Sequence, residues 1–109
     1  LYSRADGFDN TPPFRLPRRV LGAKTKVRHG TPLNFVTTHD IIGGNSGSPV
    51  IDRKARLVGL IFDGKIQSLA GRYAYSRESS RAVSVHAAGI LEALRAIYGA
   101  KALLRELVR

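Results

Sequence analysis

The middle of the chain carries four short segments whose alternating or wholly apolar pattern predicts β-strands. These segments are residues 33–38, 49–52, 56–62 and 82–85. The second and third flank a polar turn at Arg53 and Lys54, so we expect them to pair as a β-hairpin. The run 57–62 is almost continuously apolar, which is typical of a strand covered on both faces. We expect Asp63-Gly64 to end this strand.

From about Ala87 onwards the apolar pattern becomes helical. Five apolar residues fall on a single helix face: Ile90, Leu91, Leu94, Ile97 and Tyr98. Gly99 fits the C-terminal stop of that helix, and residues 101–108 predict a second short helix. Residues 1–18 contain three prolines, which limit any helix or central strand, so we expect an irregular segment there. Residues 65–80 are polar and turn-rich.

The residues between the first two predicted strands carry the most specific chemistry. Residues 43–49 read Gly-Gly-Asn-Ser-Gly-Ser-Pro, which resembles the loop around the nucleophile of a chymotrypsin-type serine peptidase. In such a loop Ser46 projects its hydroxyl from a sharp turn, and the backbone amides of Gly44 and Ser46 point at the oxygen of the tetrahedral intermediate. One such donor is worth roughly 100- to 1000-fold in rate. Glycine permits the backbone angles that this geometry needs.

Two other glycine-rich motifs are excluded by the same residues. A P-loop ends in Lys followed by Ser or Thr, and neither follows here. The elbow of the α/β-hydrolases needs a second glycine where this chain has Ser48. The alternative that stays open is a tight turn between strands, in which Ser46 is only a turn residue.

Composition limits the class of protein. With 109 residues, 43% of them apolar, the chain is one small domain or a piece of one. No run of about 20 apolar residues is present that would span a membrane. The absence of cysteine rules out disulfides and thiolate metal sites. The chain contains no methionine, not even as its first residue, so we expect a segment of a longer protein.

The formal charge of +10 keeps a second function class open. A strongly basic domain can bind nucleic acid or an acidic protein. However, the 18 Lys and Arg residues are spread along the chain, with the densest group at 15–28. No aromatic-basic alternation suggests a surface on which bases stack. A solvated, arginine-rich surface is therefore favoured, and a non-catalytic basic binding module remains the alternative.

Several stretches together identify a family. Residues 31–50 read Thr-Pro-Leu-Asn-Phe-Val-Thr-Thr-His-Asp-Ile-Ile-Gly-Gly-Asn-Ser-Gly-Ser-Pro-Val, and residues 57–64 read Leu-Val-Gly-Leu-Ile-Phe-Asp-Gly. With Arg-Ala-Val-Ser-Val at 81–85 and the helix at 90–98, they resemble the bacterial serine-type dipeptidyl aminopeptidases, the dipeptidyl-peptidase 7 and 11 group. The resemblance implies a mainly β fold with C-terminal helices, as the last part of a chymotrypsin-like double β-barrel.

Composition and the resemblance, which covers roughly residues 31–107, together divide the chain into three expected segments. Residues 1–30 form an irregular segment rich in proline and arginine, and residues 31–86 form part of the second β-barrel with its nucleophile loop. Residues 87–109 form the C-terminal helices. A helical domain that caps the cleft and the first barrel would lie outside this chain.

The resemblance also implies roles for four residues. Ser46 is the nucleophile, and the backbone N–H of Gly44 belongs to the oxyanion hole together with that of Ser46. Asp63 matches an aspartate that holds the α-ammonium group of the substrate, although Asp63-Gly64 as a plain turn stays an alternative. Gly64 matches the position that tunes the P1 pocket, which a glycine leaves open and uncharged. Aliphatic or aromatic P1 residues are therefore expected.

The remaining titratable candidates do not complete a catalytic triad. Asp40 lies six residues before Ser46, where trypsin-like enzymes keep a specificity carboxylate, but we expect a structural role for it. His29, His39 and His86 are expected to be surface or packing residues, because the base of this fold comes from upstream of the serine. They have no ligand spacing for a metal either. The chain alone is therefore expected to be inactive.

The resemblance finally implies the surroundings of the full-length enzyme. Its partners would be peptides with a free N-terminus, with no cofactor, no metal, no nucleic acid and no membrane span. A homodimer of the full-length enzyme is compatible with the resemblance. The resemblance also implies a periplasmic or secreted location, although no export signal is visible in this chain.

Overall fold

A computed structural model describes residues 1–64 and 80–108. These residues form two compact units, which are described separately below. The sheet unit consists of residues 30–91, and the helical unit consists of residues 1–29 and 92–109. The segment predicted to be polar and turn-rich, 65–80, lies outside the described residues except for Ser80.

The sheet unit is built on four antiparallel strands in the order β1-β4-β3-β2. They are β1 (Asn34–Thr37), β2 (Pro49–Ile51), β3 (Leu57–Gly64) and β4 (Ala82–His86). All four strands predicted from the sequence therefore form, and the predicted β2–β3 hairpin is confirmed. The fold class is mainly antiparallel sheet followed by C-terminal helices, as predicted.

The end of β3 differs from the prediction. The strand continues through Asp63 and Gly64, which pair with Val83 and Ala82 of β4. The register shifts between Ile61 and Asp63, so one extra residue forms a β-bulge there. The ladder pairs with β4 therefore outweigh the local preference of Asp-Gly for a turn.

One face of the sheet is tightly packed around Gly59. A Cβ at this position would lie 2.5 Å from Cε1 of Phe35 and 2.5 Å from the carbonyl oxygen of Val85. Only glycine therefore allows Phe35 to lie over β3. Ser84 is fully buried on β4, and its hydroxyl has no hydrogen-bond partner in the described part of the chain.

The expectation that β3 is covered on both faces is wrong for the chain as described. Gly59 and Ile61 are buried, whereas Val58 and Leu60 are only half-buried and Phe62 is exposed by 47%. A nearly continuous apolar run does not distinguish a strand buried on two faces from one that buries alternate residues, so this pattern alone misled the prediction.

The predicted C-terminal helix begins directly after β4 as α3 (Ala87–Glu92). Nδ1 of His86 accepts the backbone N–H of Ala88 at 3.0 Å, which satisfies one of the free donors of the first turn. The helix continues as a π-helical segment, Ala93–Ile97, and Gly99 follows with a positive φ of 61°. The predicted stop at Gly99 is thus confirmed.

The helical unit contains α1 (Tyr2–Asp6), α2 (Arg18–Gly22) and α4 (Lys101–Leu107). The expectation of an irregular segment at residues 1–18 is wrong for its first turn, because all three prolines lie after α1. The hydroxyl of Tyr2 donates to the carbonyl of Val20 at 2.7 Å and so connects α1 to α2. No helix within residues 1–64 and 80–108 is long and apolar enough to cross a membrane.

An ion pair in the helical unit holds the backbone of residues 26–28. Glu92 accepts the backbone N–H of Arg28 at 2.7 Å and the Nε of Arg95 at 2.9 Å. Arg95 in turn donates to the carbonyl of Lys26 at 2.8 Å. The hydrogen bond from Arg95, followed by that from Arg28, lowers the pKa of Glu92 from 4.5 to about 2.

Candidate functional site

The residues directly before Ser46 form a tight turn, which two hydrogen bonds between Ile42 and Asn45 close. The N–H of Asn45 donates to the carbonyl of Ile42 at 3.2 Å, and the N–H of Ile42 donates to Oδ1 of Asn45 at 2.7 Å. The third residue of this turn is Gly44, whose φ is +103°. A type II turn requires a positive φ at that position, which is why glycine is found there.

The loop after Ser46 is fixed to strand β3. The N–H of Gly47 donates to the carbonyl of Ile61 at 2.7 Å, and the N–H of Ile61 donates to the carbonyl of Ser48 at 3.0 Å. The N–H of Ser48 donates to the carbonyl of Asn45 at 2.9 Å, so the second half of the loop is also connected to the first. Gly47 has a φ of +89°, again a conformation that favours glycine.

Ser46 itself lies exposed between these two anchored halves. Neither its N–H nor that of Gly44 donates a hydrogen bond to another described residue. Both amides are therefore available to a bound group, and they lie on either side of Asn45 next to an exposed hydroxyl.

Asp63 and Gly64 lie near the same end of β3 that holds the loop. Ile61, whose backbone binds Gly47 and Ser48, precedes Asp63 by two residues, with the bulge between them. Asp63 is exposed, and its Oδ1 accepts the N–H of Gly64 at 2.8 Å. The sheet thus brings the predicted nucleophile loop and the predicted substrate-binding residues onto one strand.

The space beside Gly64 is bordered by an apolar side chain. A Cβ at Gly64 would lie 3.3 Å from Cδ1 and 3.8 Å from Cγ1 of Ile41, and 3.6 Å from the carbonyl oxygen of Arg81. The volume that glycine leaves free at this position is therefore lined by Ile41. Sequence reasoning gave Ile41 no role, because its proximity to β3 depends on the path of the loop.

The histidines are engaged elsewhere in the described structure. His39 shares a hydrogen bond with Oγ1 of Thr37 at 3.0 Å, and Nε2 of His29 lies 2.8 Å from the carbonyl of Lys24. His86 binds the first turn of α3. None is hydrogen-bonded to Ser46 within the described residues.

Two further expectations concern Asp40 and metal ions. Asp40 is exposed and forms no hydrogen bond or ion pair with a described residue, so its structural role stays a prediction. Residues 1–64 and 80–108 contain no group of three His, Cys, Asp or Glu side chains that could hold a metal ion.

Asn45 is the other residue that sequence reasoning missed. Its side chain closes the turn that carries Gly44, yet the motif was interpreted only through its glycines and serine. The signal was available, because Asn and Asp side chains commonly bind backbone N–H groups within turns.

Comparison with known proteins identifies relatives in one peptidase family. The family profile described as Peptidase S46 matches residues 1–109. Dipeptidyl-peptidase 7 of Capnocytophaga gingivalis is 40% identical over 102 residues, which cover 86% of this chain and 14% of that protein. The Asp/Glu-specific dipeptidyl-peptidase of Shewanella putrefaciens is 37% identical over 84 residues, or 77% of this chain and 12% of that protein.

The fold has a counterpart among solved structures. DPP11 of Porphyromonas endodontalis in complex with the dipeptide Arg-Glu matches with a TM-score of 0.80 and 24% sequence identity. The match covers 90% of this chain and 15% of that structure. The chain thus spans about one seventh of the proteins that it resembles.

Proposed function

Because the chain belongs to the peptidase S46 family, we propose that the protein of which it forms a part is a serine-type dipeptidyl aminopeptidase with Ser46 as its nucleophile. Such an enzyme releases dipeptides from the free N-termini of peptides. The observation that carries the proposal is the exposed Ser46 beside two amides, of Gly44 and Ser46, that have no acceptor among the described residues. The names of the relatives support the reaction class.

In the proposed reaction, Oγ of Ser46 attacks the carbonyl carbon of the second residue of the peptide. The proton of the hydroxyl passes to a histidine base contributed by another part of the protein, oriented by an aspartate. The N–H groups of Gly44 and Ser46 stabilise the tetrahedral oxyanion. As it collapses, the histidine gives its proton to the nitrogen of the shortened peptide, which leaves as an amine. Water then hydrolyses the dipeptidyl ester on Ser46.

Asp63 is proposed to recognise the free N-terminus. An α-amino group has a pKa near 8, so it is mostly cationic at neutral pH. The bond from the N–H of Gly64 to Oδ1 fixes the orientation of the carboxylate and leaves Oδ2 without a hydrogen bond to a described residue. That oxygen is suited to an ammonium group, and a blocked N-terminus would leave it unpaired.

Gly64 and Ile41 are proposed to form part of the P1 pocket. The three described atoms nearest to a Cβ at Gly64 are Cδ1 and Cγ1 of Ile41 and the backbone carbonyl oxygen of Arg81. An aliphatic or aromatic P1 side chain fits this lining better than a carboxylate, which would be desolvated without a partner.

The remaining features of the proposal concern the whole protein. We propose that the sheet unit belongs to the second barrel of a chymotrypsin-like pair, and that the enzyme acts in the periplasm or outside the cell. We further propose that this segment is inactive alone, because the base and its aspartate lie elsewhere. The full-length enzyme is also proposed to form a homodimer.

The proposal is tested with the intact protein and fluorogenic dipeptides that have a free or an acetylated N-terminus. We expect Ser46→Ala to abolish hydrolysis, whereas Ser3→Ala, at an exposed serine of α1, leaves it unchanged. Asp63→Asn should lower kcat/KM for the substrate with a free N-terminus. It should leave the already low kcat/KM of the acetylated substrate unchanged. Full activity of Ser46→Ala would refute the proposal.

A further inference from the structure

We infer that Asn45 is a positioning residue of the proposed peptidase, whose side chain holds the Gly44 amide towards the oxyanion. The inference rests on the proposed function, since it concerns the same loop. Asn45 lies between the two candidate donors, one residue after Gly44 and one before Ser46. It touches neither the substrate nor the reacting atoms in this account, and acts only through the backbone.

The side-chain bond of Asn45 is the shorter of the two that close the turn. The N–H of Ile42 lies 2.7 Å from Oδ1, whereas the backbone bond between the N–H of Asn45 and the carbonyl of Ile42 measures 3.2 Å. Good N–H···O bonds span about 2.7–3.2 Å, so the backbone bond is at the long limit. Without the carboxamide, closure of the turn would depend on that long bond alone.

Closure of this turn decides where the Gly44 amide points. The peptide between Gly43 and Gly44 is the central peptide of the turn, and its N–H is the candidate oxyanion donor. Two consecutive glycines have the widest conformational freedom of any pair, so nothing in their own chemistry holds φ of Gly44 at +103°. If the turn changes to the type I form, φ becomes negative and this N–H rotates away.

Asn45 also transmits the rigidity of the sheet to the turn. Its carbonyl accepts the N–H of Ser48, and the carbonyl of Ser48 accepts the N–H of Ile61 in β3. The side chain extends this chain of bonds backwards to Ile42. One residue therefore connects both halves of the loop, and removal of its amide leaves the half that carries Gly44 held only by the 3.2 Å backbone bond to Ile42.

The test compares Asn45→Ala with Asn45→Asp in the intact protein, using a dipeptidyl substrate with a free N-terminus. Loss of an oxyanion donor costs roughly 100- to 1000-fold in kcat, so partial loss of its orientation in Asn45→Ala should cost about 10- to 100-fold. The KM of the same substrate should stay within about 3-fold, because the change acts on the transition state rather than on ground-state binding. Asn45→Asp keeps the acceptor oxygen and should recover most of the lost kcat.

A matched control is available at Asn10, whose Oδ1 accepts the N–H of Leu16 at 2.8 Å in the helical unit. Asn10→Ala removes the same kind of bond and should leave kcat unchanged. The inference is overturned if Asn45→Ala keeps kcat within about 2-fold, or if Asn45→Asp is no better than Asn45→Ala. Failure of the proposed function looks different, because the unaltered protein would then not cleave the substrate, or Ser46→Ala would still cleave it.

Discussion

Replacement of Gly59 by alanine is expected to destabilise the strand that anchors the proposed nucleophile loop. The new Cβ would lie 2.5 Å from both Cε1 of Phe35 and the carbonyl oxygen of Val85. Carbon atoms in contact are normally about 3.5–4.0 Å apart, so the overlap with the ring is about 1 Å. The ring of Phe35 also packs edge-on against His86, with centroids 5.5 Å apart, which limits its retreat.

The carbonyl of Val85 has even less freedom, because β4 is paired with strands on both sides. Overpacking of a tight core typically costs 1–3 kcal/mol, and two rigid obstacles favour the upper end, about 3 kcal/mol. Such a change accelerates exchange through local opening by roughly 100-fold, at about 1.4 kcal/mol per factor of ten.

Hydrogen exchange followed by mass spectrometry measures this effect locally in the intact protein. Amides of β3 in Gly59→Ala should exchange about 100-fold faster than in the unaltered protein. Gly22→Ala serves as the matched control, because a Cβ at Gly22 would meet no atom within 4 Å. Exchange rates in β3 of Gly59→Ala within about 3-fold of the unaltered protein would refute the packing argument.

Two further predictions concern P1 selectivity and acid stability. Gly64→Ala brings a methyl group within 3.3 Å of Cδ1 of Ile41 and into the proposed P1 pocket. The ratio of kcat/KM for P1 Phe to that for P1 Ala should therefore fall about 10-fold. An unchanged ratio in steady-state assays would contradict the pocket assignment. Because the pKa of Glu92 is lowered to about 2, its ionised form stabilises the helical unit fully above pH 4.5, and this contribution is lost as the pH falls towards 2. The difference in melting temperature between the unaltered protein and Glu92→Gln should therefore shrink between pH 6 and pH 3, and an equal difference at both values would contradict it.

The strands were predictable because each follows from the sequence of apolar and polar residues within its own segment. Residues 34–37 alternate, and β2 and β3 flank a polar turn, so pairing followed from short-range signals. The bulge before Asp63 was not predictable, because it depends on pairs with Val83 and Ala82 some twenty residues further along the chain. Pairing with these distant residues outweighs the local preference of Asp-Gly for a turn.

In the candidate site, too, features set by local sequence were predictable and features set by distant contacts were not. The glycines and Ser46 of the loop could be interpreted directly, because their spacing reflects backbone geometry that the proposed chemistry requires. The role inferred for Asn45 and the lining of Gly64 by Ile41 depend on contacts through space that no periodicity encodes. The cap that His86 provides to α3 also required the structure, since histidine carries no general signal for that position.

The most direct test of the account is to identify the covalently modified residue in the intact protein. A serine-directed fluorophosphonate should inactivate the enzyme and label the tryptic peptide that spans residues 29–53, with the adduct on Ser46. Prior incubation with a dipeptide product should slow the labelling. Inactivation with the adduct on another residue would contradict the assignment of Ser46 as the nucleophile. Full labelling of a Ser46→Ala variant that stays active would contradict it as well.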